Sequence, residues 1–323
     1  MILAGDIGGT KTVLSLLHRE PNGLICLQEK TYPSQQYRQF DDILTAFLPA
    51  DVVIESACFG VAGPVVNQRC HTTNLPWLLD ASALKIKLGT SKVKLLNDLE
   101  AMALGMLYLS EDDLIELNPK AETQTGNIAV IAAGTGLGEA ILYWDGCKHH
   151  PMATEGGHSD FAAQNDQQDL LVAYLRKQTP EHVSYERVLS GIGFSHLYDF
   201  LCDQGFAPCP DVPDNNSGID RNAVISKLGV AGEDACCAEA VKLFVELYGA
   251  EAGNLALKSM ATGGVYIGGG IAPKILPALQ NGHFMDTFKA KGRFAPLLGK
   301  LSVKLSLNPR TPLIGAINYF GIG

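Results

Sequence analysis

The sequence predicts an α/β protein made of two similarly built halves with a cleft between them. Two glycine turns predict it. Gly5-Asp6-Ile7-Gly8-Gly9-Thr10-Lys11-Thr12 lies between Ile2-Leu3-Ala4 and Val13-Leu14-Ser15-Leu16-Leu17, and Ala133-Gly134-Thr135-Gly136-Leu137-Gly138 lies between the Ile128–Ala132 run and Ala140-Ile141-Leu142-Tyr143. Each reads as strand, tight turn, strand, and a repeated unit of this kind implies a repeated core. With 323 residues, 46% of them apolar, the chain is long enough for two domains with sizeable cores.

The elements follow in order. After the first hairpin, Leu24 to Tyr32 reads as a third strand. Phe40, Ile43, Leu44, Phe47 and Leu48 then fall at helical spacing, and Val52 to Gly60 returns to strand. Val93 to Leu96 is a short strand leading into a helix with Leu99, Met102, Ala103, Met106 and Leu107 on its apolar face. The second half repeats this opening with strands near 127–133 and 138–143. It then departs into a mostly helical insertion from Glu155 to about Gly232, with a surface loop at Pro208–Asp220. A long helix carries Cys237, Ala240, Val241, Phe244, Tyr248 and Leu255. Gly263 to Gly270 is a strand ending in a glycine turn, and Lys274 to Leu279 starts another helix. Thr311-Pro312 signals a helix start with Thr311 as N-cap, and this helix is expected to return to the first half. The expected domains are 1–109 with 311–323, and 110–310.

Composition narrows the function. A net charge of -9 argues against a nucleic-acid surface but not against nucleotides, because turn amides and a divalent cation can neutralise phosphates. No apolar run reaches the ~20 residues that span a bilayer, and Met1-Ile2-Leu3 enters the first strand without a basic signal segment, so a cytoplasmic protein is expected. The eight cysteines show no metal-ligand spacing and read as buried free thiols.

Adjacent glycines at Gly8 and Gly9 permit positive φ and close backbone approach, while Thr10, Lys11 and Thr12 supply donors, so the turn can hold a phosphate. It is not a Walker loop, which opens a helix, and a plain hairpin with a buried Asp6 is the competing reading. Asn97-Asp98 sits where strand passes to helix, the edge at which α/β sheets present ligand groups. Asn97 with Glu100 also has the form of a capping box, which leaves Asp98 available to accept a proton from an attacking hydroxyl. Glu155-Gly156-Gly157-His158 offers a carboxylate and an imidazole on a glycine loop, suited to sugar hydroxyls or equally to a surface loop. Ser184-Tyr185-Glu186-Arg187 reads first as a helix cap. The 263–270 strand would suit an adenine ring or a buried tight turn.

Taken in series, Asp6 to Thr12, Asn97-Asp98-Leu99-Glu100-Ala101, Gly134 to Gly138, Glu155 to His158, Glu186 to Gly191, the glycine strand at 263–271 and Pro312-Leu313-Ile314-Gly315-Ala316 resemble the bacterial glucokinases of the actin-like/hexokinase superfamily. The resemblance covers nearly the whole chain. It implies two RNase H-like (actin/hexokinase-type) domains and ATP-dependent phosphorylation of the glucose 6-hydroxyl. It makes Asp98 the general base and Asn97, Glu155, His158 and Glu186 sugar ligands, with Asn74 near the sugar. It gives the nucleotide Gly8, Gly9, Thr10, Lys11, Thr12, Gly134, Thr135, Gly136, Gly268 and Gly269, and sets Asp6 near Mg²⁺ or its waters. It further implies a homodimer. Glu139, after the second turn, departs from the small apolar residue more usual there, and is expected to face solvent or oppose the phosphates.

Other readings stay open. A related hexose or amino-sugar kinase would carry a cysteine cluster after His158, and none follows. A sugar-responsive repressor would need a DNA-binding segment ahead of the first strand. A non-catalytic filament former would need no sugar cluster.

Overall fold

The computed structural model describes residues 1–21, 23–208, 212–214 and 217–320. It divides into two compact units, Met1–Asp113 with Pro151–Ala153 and Asn308–Gly323, and Leu114–His150 with Thr154–Leu307.

The chain begins with β1 (Ile2–Ile7), β2 (Lys11–Glu20), β3 (Gly23–Pro33), α1 (Phe40–Phe47) and β4 (Ser56–Val61). A small pair, β5 (Arg69–His71) and β6 (Leu78–Asp80), precedes α2 (Ala81–Leu88), β7 (Val93–Asn97) and α3 (Asp98–Met106). The sheet order is β3-β2-β1-β4-β7, antiparallel through β1 and parallel from β1 to β7. The apolar run at Val52–Gly60 becomes strand only from Ser56, because its partner β1 starts at Ile2, in register with Ser56. Phe40 packs edge-on against Phe59 at 5.3 Å in the core beneath this sheet.

The chain continues through β8 (Leu114–Glu116), β9 (Ile128–Ala133), β10 (Leu137–Trp144), β11 (His149–Ala153), α4 (Asp166–Gln178), α5 (Gly191–Asp203), α6 (Arg221–Ala231) and α7 (Ala235–Ser259). It then forms β12 (Gly264–Gly268), α8 (Leu276–Leu279), α9 (His283–Lys289), α10 (Ala295–Leu298) and β13 (Val303–Ser306). The six-stranded sheet runs β11-β10-β9-β12-β13-β8. Its centre repeats the first sheet: an antiparallel hairpin, β9 and β10, followed by two strands, β12 and β13, parallel to β9. The core of this unit gathers on α7, where Phe244 stacks on Phe194 at 4.3 Å. Of the Pro208–Asp220 loop, Cys209, Pro210, Asp211, Asn215 and Asn216 lie outside the described residues.

The helix α11 (Thr311–Asn318) packs on α3 in the first unit. A Cβ at Gly105 would collide with the Thr311 carbonyl, and one at Gly315 with the Ala101 carbonyl, so the two backbones touch only because both positions are glycine. Thr311 is the first helical residue rather than the N-cap. Its hydroxyl donates backward to the Asn308 carbonyl at 2.6 Å, and Arg310 occupies the cap position.

Cys58, Cys70, Cys236 and Cys237 are buried free thiols, but Cys26 and Cys147 are exposed and Cys202 is disulfide-bonded. The expectation of buried free thiols therefore fails at these three. Cys209 lies outside the described residues. Among the described residues no helix is long and apolar enough to cross a membrane.

Candidate active site

In the first unit the chemistry-bearing residues gather at one sheet edge. Ile7 of β1 is in register with Val61 of β4, and Val61 with Asn97 of β7, so the Gly8-Gly9 turn and the start of α3 leave the sheet at the same level. The Gly8 N–H donates to the Lys11 carbonyl at 3.0 Å, and the Ser34 hydroxyl donates to the Gly8 carbonyl at 2.8 Å. Thr10 and Lys11 are exposed. Thr12 is buried, its hydroxyl 2.9 Å from that of Ser34, so it props the turn from beneath. Neither Gly8 nor Gly9 uses the positive φ that glycine permits. Glycine is needed at position 9 for space instead: a Cβ there would stand 2.8 Å from the Asn74 Cβ. Asn74 is thus placed against the hairpin. Burial raises the Asp6 carboxyl above its ordinary range, and the Lys11 charge partly offsets this.

Asn97 caps α3. Its Oδ1 accepts the Leu99 N–H at 2.8 Å, while Glu100 Oε2 accepts the Asn97 N–H at 2.9 Å, completing a capping box. Its Nδ2 donates to the Gly63 carbonyl at 3.1 Å, which fixes the amide at both ends. Asp98, half-buried, is the first residue of the helix, and its Oδ1 accepts the Leu99 N–H at 3.0 Å.

The second unit repeats the edge arrangement, with Gly268 of β12 opposite Ala132 of β9. The turn closes by the Gly134 N–H donating to the Gly136 carbonyl at 2.8 Å, and Gly191, at the start of α5, donates to the Gly134 carbonyl at 2.8 Å. Thr135 is exposed at the tip. Gly269 has φ +84°, and a Cβ there would collide with the Ala133 carbonyl. The glycine run after β12 is therefore a tight turn seated on the end of β9.

Glu186 Oε2 accepts the Leu137 N–H at 2.9 Å, and a Cβ at Gly136 would collide with the same oxygen. Its other oxygen lies 3.8 Å from His158 Nε2. Ser184 makes no side-chain cap to the short helical turn Tyr185–Arg187, so the cap reading of this stretch fails. His158 and Glu186 line a pocket of about 290 Å³ with Thr179, His182, Ser184 and Arg187. Glu155 is exposed and precedes the turn Gly156–His158, which lies close on β10: a Cβ at Gly157 would collide with the Leu137 carbonyl. The structure thus brings His158 and Glu186 together beside the second glycine turn.

Glu139 corrects the sequence-based expectation. It faces neither solvent nor the turn but is buried at 2% exposure, because β10 directs it inward beneath Gly156 and toward α7. Two other supports escaped the sequence reading and a third did not. Ser34 and Gly63 are joined to Gly8 and Asn97 only by the fold, whereas Gly191 stood inside the Glu186–Gly191 stretch already singled out. Among the described residues no three His, Cys, Asp or Glu side chains form a metal cluster.

A family model described as Glucokinase matches residues 3–321. The glucokinase of Nostoc punctiforme is 41% identical, the match covering 98% of this chain and 97% of that protein. The crystal structure of a glucokinase from an Antarctic psychrotroph superposes with a TM-score of 0.85 at 31% identity, covering 98% of this chain and 97% of that one. A ROK family glucokinase from Streptomyces griseus, in complex with glucose and AMPPNP, shares the fold with a TM-score of 0.63 at 18% identity, covering 98% and 97%. The chain belongs to the glucokinase family and is a kinase that phosphorylates glucose.

Proposed function

We propose that the chain transfers the γ-phosphoryl group of ATP to the 6-hydroxyl of glucose, with Asp98 as general base. The observation that carries this reading is the shared edge of the first sheet, where Asp98 opens α3 at the level of the Gly8-Gly9 turn. Phosphoryl transfer asks little covalent chemistry of a protein. It needs a positioned hydroxyl, an acceptor for its proton and neutralised phosphate charge.

The groups divide accordingly. The Asp98 carboxylate, fixed by the Leu99 amide and the capping box behind it, takes the hydroxyl proton. Glu155, His158 and Glu186 hold sugar hydroxyls, with Asn97 and Asn74 completing the set. The Gly8–Lys11 and Gly134–Gly136 turns cradle phosphates through backbone amides, with Thr12 bracing the first from below, and Gly268-Gly269 borders the adenosine. The glucose and AMPPNP of the Streptomyces griseus protein support this pair of substrates. Asp6 fits Mg²⁺, since that ion takes one or two carboxylates beside phosphates and water, and a cation would offset the cost of burying this carboxylate. Bound there, Mg²⁺ would neutralise phosphate charge.

The test is a coupled kinase assay over glucose, mannose, fructose and N-acetylglucosamine with ATP, ADP and polyphosphate, run on the wild type and on Asp98→Ala and Asp98→Asn. Glucose with ATP is expected to give the highest kcat/KM. The Asp98 variants should lose about a thousandfold or more in kcat while calorimetry finds glucose binding within a few-fold of wild type. Near-normal turnover in folded Asp98→Ala would remove the base assignment, and preference for another sugar or donor would replace the substrates.

A further inference from the structure

Glu139 lies between a hydrophobic core and the loop assigned above to sugar binding. Its Oε1 is buried without a hydrogen-bond partner. Oε2 lies against Gly156, where any Cβ would collide with it. The backbone carbonyl of Glu139 accepts the Thr154 hydroxyl at 3.0 Å, and Thr154 Oγ1 accepts the Gly156 N–H at 3.1 Å. Main chain and side chain of one residue therefore set the path of 154–156, and with it the direction of Glu155.

The charged group facing Glu139 is another acid. Glu251 of α7 is wholly buried; Asn254 Nδ2 donates to its Oε2 at 2.8 Å, and Lys258 Nζ stands 3.5 Å from its Oε1. The Tyr185 hydroxyl, which accepts from Asn254 Nδ2 at 3.1 Å, faces Glu251, as does Lys291. Tyr248, also nearby, spends its hydroxyl on the Ala133 N–H and the Ile131 carbonyl. Lys258 is more than half exposed, with 58% of its side chain accessible, and so balances two buried carboxylates poorly. Two like charges in a dry site cannot both persist cheaply, and an orphaned oxygen costs less on a neutral acid than on a carboxylate.

We propose that Glu139 and Glu251 share one proton, and that Glu139, as the neutral partner, is a positioning residue for the loop presenting Glu155 and His158. The proposal rests on the sugar-binding reading of that loop. Burial, and then the Glu251 charge, push the Glu139 carboxyl up to about 8. Loss of the shared proton near that pH sets two carboxylates against each other under Gly156, so the effect reaches glucose affinity before turnover.

The test compares the wild type with Glu139→Gln, which keeps the shape and a donor but cannot ionise. Wild-type KM for glucose is expected to rise about threefold or more between about pH 7 and about pH 9 with kcat nearly constant, while the Gln variant stays flat and within about twofold of wild type near neutrality. The infrared carbonyl stretch of a protonated carboxylic acid should be present in the wild type at neutral pH and absent from the variant. Glu139→Val, which fills the space without a donor, should raise the glucose KM at every pH. Parallel KM profiles for wild type and Gln variant, a missing acid band, or a wild-type KM in Glu139→Val would each overturn the proposal. Failure of the sugar reading has another signature, an unchanged glucose KM in Glu155→Ala with the acid band intact, and it removes the positioning role while leaving the shared proton.

Discussion

Glu186 Oε2 accepts the backbone N–H of Leu137 at 2.9 Å, so the proposed sugar ligand is anchored to the strand leaving the second glycine turn. One carboxylate therefore ties two proposed subsites. Gly136→Ala places a methyl group on that oxygen and must displace Glu186. The expected outcome is a rise in KM for both glucose and nucleotide of about tenfold, from loss of about 1.4 kcal/mol on each side, with the folded content unchanged by circular dichroism. A change in nucleotide KM alone would separate the two.

Glu100 reaches back to the Asn97 N–H and so fixes the start of α3 from outside the proposed site. Glu100→Ala should cost about 1 kcal/mol in denaturant unfolding and lower kcat several-fold, as Asp98 loses its support, whereas Glu100→Gln keeps the capping box and most of both.

The contact between α3 and α11 predicts a large structural effect. Gly315→Ala drives a methyl group into the Ala101 carbonyl, with backbone on both sides and no side chain to yield. A loss of about 3 kcal/mol is expected, read as a lowered denaturant midpoint at unchanged m-value.

The Glu139 carboxyl titrates near 8 when folded and near 4.5 when unfolded, so the folded chain holds its proton to higher pH. The stability it confers is complete below about pH 4.5 and is lost as pH rises toward and through 8. Melting temperature should therefore decline over this window, and Glu139→Gln should flatten the decline. An identical slope in both proteins would exclude this group as the cause.

How much of this was legible follows from where each signal resides. The β1–β2 and β9–β10 hairpins carry glycine between apolar runs, a local pattern, and both formed where the sequence placed them. β8 and β13 were not anticipated, because strands this short exist through partners distant in sequence, as Leu305 pairs with Ile115, and neither was β11, an edge strand on neighbouring β10 whose His149-His150-Pro151 start breaks the apolar alternation. The capping box at Asn97 was readable from a spacing of three residues. The burial of Glu139 was not, since a charged residue signals surface and the acid that faces it lies on α7. The seat of Asn74 on Gly9 likewise depends on a loop returning to the hairpin.

The first unit acquires α11 only after every residue of the second unit has left the ribosome, although α3, which receives that helix, is among the earlier segments made. Until then the small-residue face of α3 at Ala101 and Gly105 has no cover from α11. The second unit, apart from the short excursion at Pro151–Ala153, has its full complement of residues first. Synthesis therefore imposes an order on maturation: the half that begins the chain is the one completed last, and a nascent chain stalled before Thr311 lacks the piece that closes it.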